Sequence, residues 1–153
     1  MTAWVKLVAA GTTRTHVIFS TTNATAFRFV VQETSGVFKI QGIRGATTDE
    51  KVEFTLVNPT TVWNHVAVTY ASSTLASDVD IYINGVESTY QTQTNGVGNR
   101  TSDAAVNGTI ANNDTNASRT FDGIIDHVVL YKQKLHAMDN LTHYNNEKSS
   151  AVF

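Results

Sequence analysis

Cysteine is absent from the 153-residue sequence, which excludes a disulfide framework, a thiolate metal site and a cysteine nucleophile. That absence is compatible with any compartment. A chain of this length also needs no covalent staple, because a single domain of this size buries roughly two-thirds of its unfolded surface. Cations are in short supply as well: 11 Lys and Arg stand against 13 Asp and Glu, for a formal net charge of −2 and a pI near 6.2. Contact with a phosphate backbone needs clustered Lys and Arg, so nucleic acid is not an expected partner. Long apolar runs are missing too. None approaches the roughly 18 to 20 residues of a membrane span, and Met1 is followed by strand-like sequence rather than a basic and apolar leader. The expectation is a chain with no signal peptide and no membrane insertion. Only 16% of residues are charged. Thr, Ser and Asn take their place, leaving a surface of neutral polar groups of the kind found on extracellular domains and virion proteins.

What is present is alternation at period two. From Val62 to Val86 an apolar strand ends in Thr69-Tyr70, a Ser/Thr-rich loop follows, and Val79, Ile81 and Ile83 alternate with Asp80, Tyr82 and Asn84. Asn84-Gly85 predicts a tight type I′ hairpin, since both residues tolerate positive φ. Further strands are expected over Thr2–Val8, His16–Ser20, Phe27–Gln32, Val37–Gln41 and Lys51–Val57, where Lys51 to Leu56 alternates without error. The only proline, Pro59, sits in the turn before Trp63. Ser88 to Ala117 is polar and reads as long loops around a short strand at Val106–Ala111. Arg119 to Lys132 returns to strand pattern, and Leu135 to Tyr144 has the spacing of a short helix. Short strands with turn signals every 8 to 12 residues or so indicate an all-β sandwich or barrel in one domain.

Three ordered motifs then carry a resemblance. VWNHVAVTY, DVDIYINGV and FDGIIDHVVLYKQKLHAMDNLTHYNNE, with the opening TAWVK, resemble the laminin-G-like group of concanavalin A-like lectin/glucanase domains across nearly the whole chain. The resemblance implies a jelly-roll sandwich of two antiparallel sheets, one of them concave, with Trp4 and Trp63 at core positions. It also implies another strand or two before the Trp4 strand, which this chain begins too late to include. An edge left open in that way must be covered, and the expectation is that Glu147 to Phe153, or a neighbouring subunit, covers it.

Glycosidases of this fold need paired carboxylates along a strand, one to attack or position and one to donate a proton. The nearest approach to such a pair is Asp78 with Asp80, and no Glu-x-Asp-x-Glu arrangement exists, so the chain is not expected to be an enzyme. Asp126 shares a parity with Ile124, Val128 and Leu130, and is expected to face an apolar surface. A buried charge needs a partner: hydrogen bonding to a neighbouring loop is favoured over calcium, which wants six or more oxygens. No cofactor is required, and calcium at Asp126 is the one metal left open. Asn112, Asn113, Asp114 and Asn116 offer oxygens, but as an EF-hand starting at Asp114 the loop fails. Arg119 stands where glycine belongs and Ile125 where the bidentate glutamate belongs. His136 and His143 lack a His-Glu-x-x-His frame; His65 and His127 read as packed and hydrogen-bonded strand residues. Six Asn-x-Ser/Thr sequons, at Asn23, Asn99, Asn107, Asn113, Asn116 and Asn140, matter only in a secretory pathway.

Sugar binding of the kind the resemblance implies uses an aromatic platform with amide and carboxylate partners. Tyr82 and Tyr90 are the candidate platforms, with Asn95, Arg100, Asn112, Asn113, Asp114 and Asn116 around them. The functional expectation is a structural or decoration protein on the outside of a larger assembly, a virion capsid or tail fibre, with glycan adhesion. It would be a homo-oligomer or dock on protein partners, on a virion or extracellular surface. A free-standing carbohydrate-binding lectin is the alternative.

Overall fold

The computed structural model describes residues 1–8, 13–21, 26–71, 73–102, 104–112 and 119–150. Among these residues the alternating segments form eleven strands: β1 (Thr2–Leu7), β2 (Arg14–Thr21), β3 (Phe27–Thr34), β4 (Val37–Arg44), β5 (Glu50–Thr55), β6 (Asn64–Tyr70), β7 (Val79–Ile83), β8 (Val86–Glu87), β9 (Thr92–Thr94), β10 (Gly108–Ile110) and β11 (Gly123–Val129). One helix, α1 (Ala137–Ser150), follows them. Two antiparallel sheets result, a five-stranded one ordered β11-β1-β6-β7-β8 and a six-stranded one ordered β10-β2-β3-β4-β5-β9.

Period two sets which side chains of each strand face the space between the sheets. Ala3, Val5 and Leu7, Val66 and Val68, and Val79 and Ile81 of one sheet meet Ile18, Phe27, Phe29, Val31, Ile40 and Val52 of the other. The sheets approach closely at Gly42, where a Cβ would stand 2.9 Å from Val68 Cγ2. Asn84 (φ 53°) and Gly85 (φ 80°) both lie in the left-handed region, as the type I′ hairpin requires.

Helix α1 starts at Ala137, two residues after the expected Leu135, and runs past the expected Tyr144 to Ser150. Its first turn is closed by Asp139, whose carboxylate accepts the His136 backbone N–H at 2.9 Å. The helix lies on the outer face of the five-stranded sheet. Tyr144 stacks on Trp4 with ring centroids 5.8 Å apart, and Leu141 and Tyr144 press on the Gly85 turn.

Several expectations change here. β1 is not an edge: β11 pairs it on one side and β6 on the other. Strand β11 therefore does the covering expected of the C-terminal tail or a neighbouring subunit, and Glu147 covers the face of β1 instead; residues 151–153 lie outside the described ones. Asp126 does not face the apolar interior. His127 takes φ 52° and the β1–β11 register slips between Thr2 and Trp4, a bulge that flips parity so that Ile125 and Val128 pack inward while Asp126 is exposed. Trp63 is half-buried rather than central. β9 arises inside the stretch read as loop, because Lys51 to Glu53 present an edge that Thr92 to Thr94 can pair.

Candidate functional site

The residues singled out in the sequence do not converge. Tyr82 is 3% exposed, on the sheet face where α1 packs, and burial first, then Asp80 and Glu87, push its phenol up to about 12. A ring so enclosed presents no platform to a sugar. Tyr90 is half-buried. Its hydroxyl accepts the Ile81 N–H at 2.9 Å and donates to Glu87 at 3.3 Å, so it fills the place on β7 that two-residue β8 leaves unpaired. Asn95 caps the short 3-10 turn at Ala76–Asp78 by accepting the Ala76 N–H at 2.9 Å. Arg100 reaches back to Glu50 at 3.4 Å, a carboxylate pushed up by its burial against the pull of Arg100 and Arg44.

Asn112 follows β10 and Asn95 follows β9, the opposite edges of the six-stranded sheet, about 24 Å apart at the usual strand spacing. Asn113, Asp114 and Asn116 lie outside the described residues. Asp126 spends one oxygen on the His127 N–H at 2.7 Å. No group of three His, Asp or Glu among the described residues stands together as metal ligands. The Asn140 sequon is closed to modification in the fold, since Asn140 is 0% exposed and its Nδ2 donates to His136 O.

The arrangement that does converge is the outer face of the six-stranded sheet. Cross-strand register sets three rows there. Val17, Val30, Gln41 and Glu53 form the middle one, flanked by Arg28, Ile43 and Lys51 on one side and by Thr15, Gln32, Lys39 and Thr55 on the other. Val17, Val30 and Ile43 point away from the main core yet are buried as a small cluster of their own. They floor a groove of about 120 Å³ rimmed by Thr15, Gln32, Gln41, Arg28 and Arg119.

The polar side chains of this face are held in place. Thr15 Oγ1 donates to Gln32 Oε1 at 2.7 Å, and Gln32 Nε2 donates to the Arg14 carbonyl. Glu53 accepts from Lys39 and from Gln41 Nε2, both at 2.7 Å, and from Lys51 at 3.4 Å. Burial alone would raise its carboxyl, but these three donors outweigh burial and hold it below the usual range. The Gln41 carboxamide oxygen is left without a protein donor among the described residues. The sequence carried a signal for this face in the error-free alternation of Lys51 to Leu56, but nothing in it said which strands lie side by side.

A second opening of about 350 Å³ lies between the sheets at one end, where Phe19, Phe27, Val68 and Tyr70 form its apolar wall. Arg44 lies over the Tyr70 ring, 4.1 Å from its centroid.

Two antiparallel sheets with one open polar face are the jelly-roll arrangement, and a laminin-G-type family model described as the concanavalin A-like lectin/glucanases superfamily matches residues 1–139. The chain belongs to that superfamily. No curated protein matches it. As a concanavalin A-like domain it has a known fold with many functions, so the function has to be argued from the side chains above.

Proposed function

We propose that this concanavalin A-like domain is a non-catalytic glycan-binding module, displayed on the outside of a larger assembly of the virion capsid or tail-fibre kind. The observation that carries glycan binding is the outer face of the six-stranded sheet. Val17, Val30 and Ile43 offer an apolar floor for the C–H face of a pyranose; Thr15 Oγ1, Gln32 Oε1 and Gln41 Oε1 offer fixed acceptors for its hydroxyls, and the second Gln41 Nε2 hydrogen a donor. The non-catalytic reading is supported by Glu53 standing as the one carboxylate in those three rows, with both oxygens engaged by Lys39, Gln41 and Lys51. Glycoside hydrolysis needs two carboxyl groups about 5 to 9.5 Å apart across the scissile bond.

The test is an array of diverse oligosaccharides probed with the intact chain, followed by titration of the hits. Gln41→Ala is expected to weaken binding at least tenfold, and Asn112→Ala, at the far edge, to leave it unchanged. An array without hits defeats the reading.

Display on an assembly rests on a different surface. Val57, Val62 and Val86 are exposed around a groove floored by Phe54 and Ile83, and contiguous apolar surface of this kind is characteristic of partner contacts. Val86→Lys should then lower the association state measured by light scattering. A monodisperse monomer at high concentration, with glycan binding intact, counts against display and leaves a free-standing lectin.

A further inference from the structure

We propose that the groove on the six-stranded sheet takes an acidic saccharide, and that Arg28 and Arg119 grip its carboxylate or sulfate. This rests on reading that face as a glycan site. Arg28 rises from β3, and Arg119 enters from just before β11, so two segments distant in sequence bring their guanidinium groups to one rim of the groove. Arg28 is paired with Asp49 at 2.7 Å. Arg119 has no carboxylate partner among the described residues, and it lies near enough for the two cations to repel.

Charge on the face is out of proportion to the chain. Among the described residues, Arg28, Arg119, Lys39 and Lys51 face only Asp49 and Glu53, and Glu53 is already bonded to both lysines. Four cations and two carboxylates leave the face at net +2, on a molecule whose formal net charge is −2. Burial, more than Arg119, holds the Arg28 guanidinium below its usual value, so the opposite charge of a bound anion offsets the cost of burial and screens the two cations from each other. Guanidinium forks match carboxylate and sulfate oxygens two at a time, and such charge-assisted bonds are about twice as strong as neutral ones. The groove's volume, about 120 Å³, suits one acidic substituent with the adjoining edge of a sugar ring. The Val17 and Val30 floor and the open Gln41 oxygen meet the uncharged part of that ring, which a bare inorganic anion does not have.

The experiment is calorimetric titration of the intact chain with four probes: a neutral oligosaccharide, an oligogalacturonide, a heparin-derived tetrasaccharide and a single-stranded oligonucleotide. The expected result is binding of the galacturonide or the sulfated tetrasaccharide at least tenfold tighter than the neutral probe, weakening as salt rises; the stronger of the two tells carboxylate from sulfate. Arg119→Ala should lose at least tenfold for the acidic probe while the melting temperature stays put. Arg119→Lys, a safeguard should the alanine variant fold poorly, should recover only part of the affinity, because a point charge replaces a fork. Equal affinity for neutral and acidic sugars, or an Arg119→Ala variant that binds as before, overturns the inference and leaves the glycan face standing. An oligonucleotide bound as tightly as the acidic sugar overturns it too, since the face would then be reading charge alone. If no saccharide binds, the glycan reading falls and takes the inference with it.

Discussion

The indole Nε1 of Trp4 on β1 donates a 2.8 Å hydrogen bond to Oε2 of Glu147, 143 residues away on α1. First strand and last helix are thereby locked across the outer face of the five-stranded sheet, with Tyr144 stacked on the same indole. Hydrogen bonds to a charged acceptor contribute roughly 1.5 to 3 kcal/mol, and removing one partner also strands a desolvated donor. Glu147→Ala should therefore cost about 2 kcal/mol in urea unfolding and shift the tryptophan emission. Unchanged stability would mean that α1 does not depend on this bond.

His65 lies beneath the same helix, 0% exposed, with neither ring nitrogen hydrogen-bonded among the described residues and Glu147 3.6 Å from Nε2. Burial, with His143 and His127 adding to it, lowers its pKa from 6.5 to about 4. A base depressed in the folded state binds fewer protons there than in the unfolded chain, so stability rises with pH between about 4 and 6.5 and is lost as pH falls through that window. The span is worth on the order of 3 kcal/mol. His16, also lowered chiefly by burial, adds in the same direction. Denaturant unfolding from pH 4 to pH 7.5 checks this. His65→Leu should leave stability at pH 7.5 nearly unchanged, since no hydrogen bond is lost, and should flatten the slope. An equally steep profile in the variant would assign the titration to another group.

Tyr90 supplies what a longer β8 would have supplied, an acceptor for the Ile81 N–H. Tyr90→Phe keeps the ring and removes the acceptor, which should cost about 1 to 3 kcal/mol. Amide hydrogen exchange at Ile81 should accelerate more than at other β7 positions. Uniform exchange would show that this edge is held by something else.

At Gly42 any side chain collides with the facing sheet. Gly42→Ala places a Cβ 2.9 Å from Val68 Cγ2 and 3.2 Å from Val79 Cγ1, both in the core. Overpacking of this kind costs about 1 to 3 kcal/mol. Val68→Ala in the Gly42→Ala background should recover part of the loss, and strictly additive losses would argue that the sheets simply separate.

Asp126 is the one position where the sequence allows calcium, and its exposed carboxylate accepts the His127 N–H with one oxygen. A ligand bound only by the folded state raises the transition temperature. Melting with chelator and with millimolar calcium should coincide, and a rise with calcium would restore a metal site.

Strands were legible wherever alternation was unbroken. Lys51 to Thr55 and Val79 to Ile83 carry one apolar and one polar side, and Asn84-Gly85 has the backbone freedom that a type I′ turn demands. Parity misled at Asp126 because a bulge inserts one residue, and one residue is enough to exchange the faces of a strand. The tyrosines misled for another reason: Tyr82 does stand on the polar parity of β7, and α1 then packs on that face.

The sequence by itself determined the class of fold, the hairpin register and the sides of the strands that run without a bulge, since these follow from backbone freedom and a two-residue period acting locally. Only the tertiary structure decided that β11 completes the sheet beside β1, that Trp4 and His65 lie under a helix, and that Arg28 and Arg119 share one groove. Those outcomes depend on which strands become neighbours. That is settled by burying both sheet faces at once, a property of the whole chain that no window of residues contains.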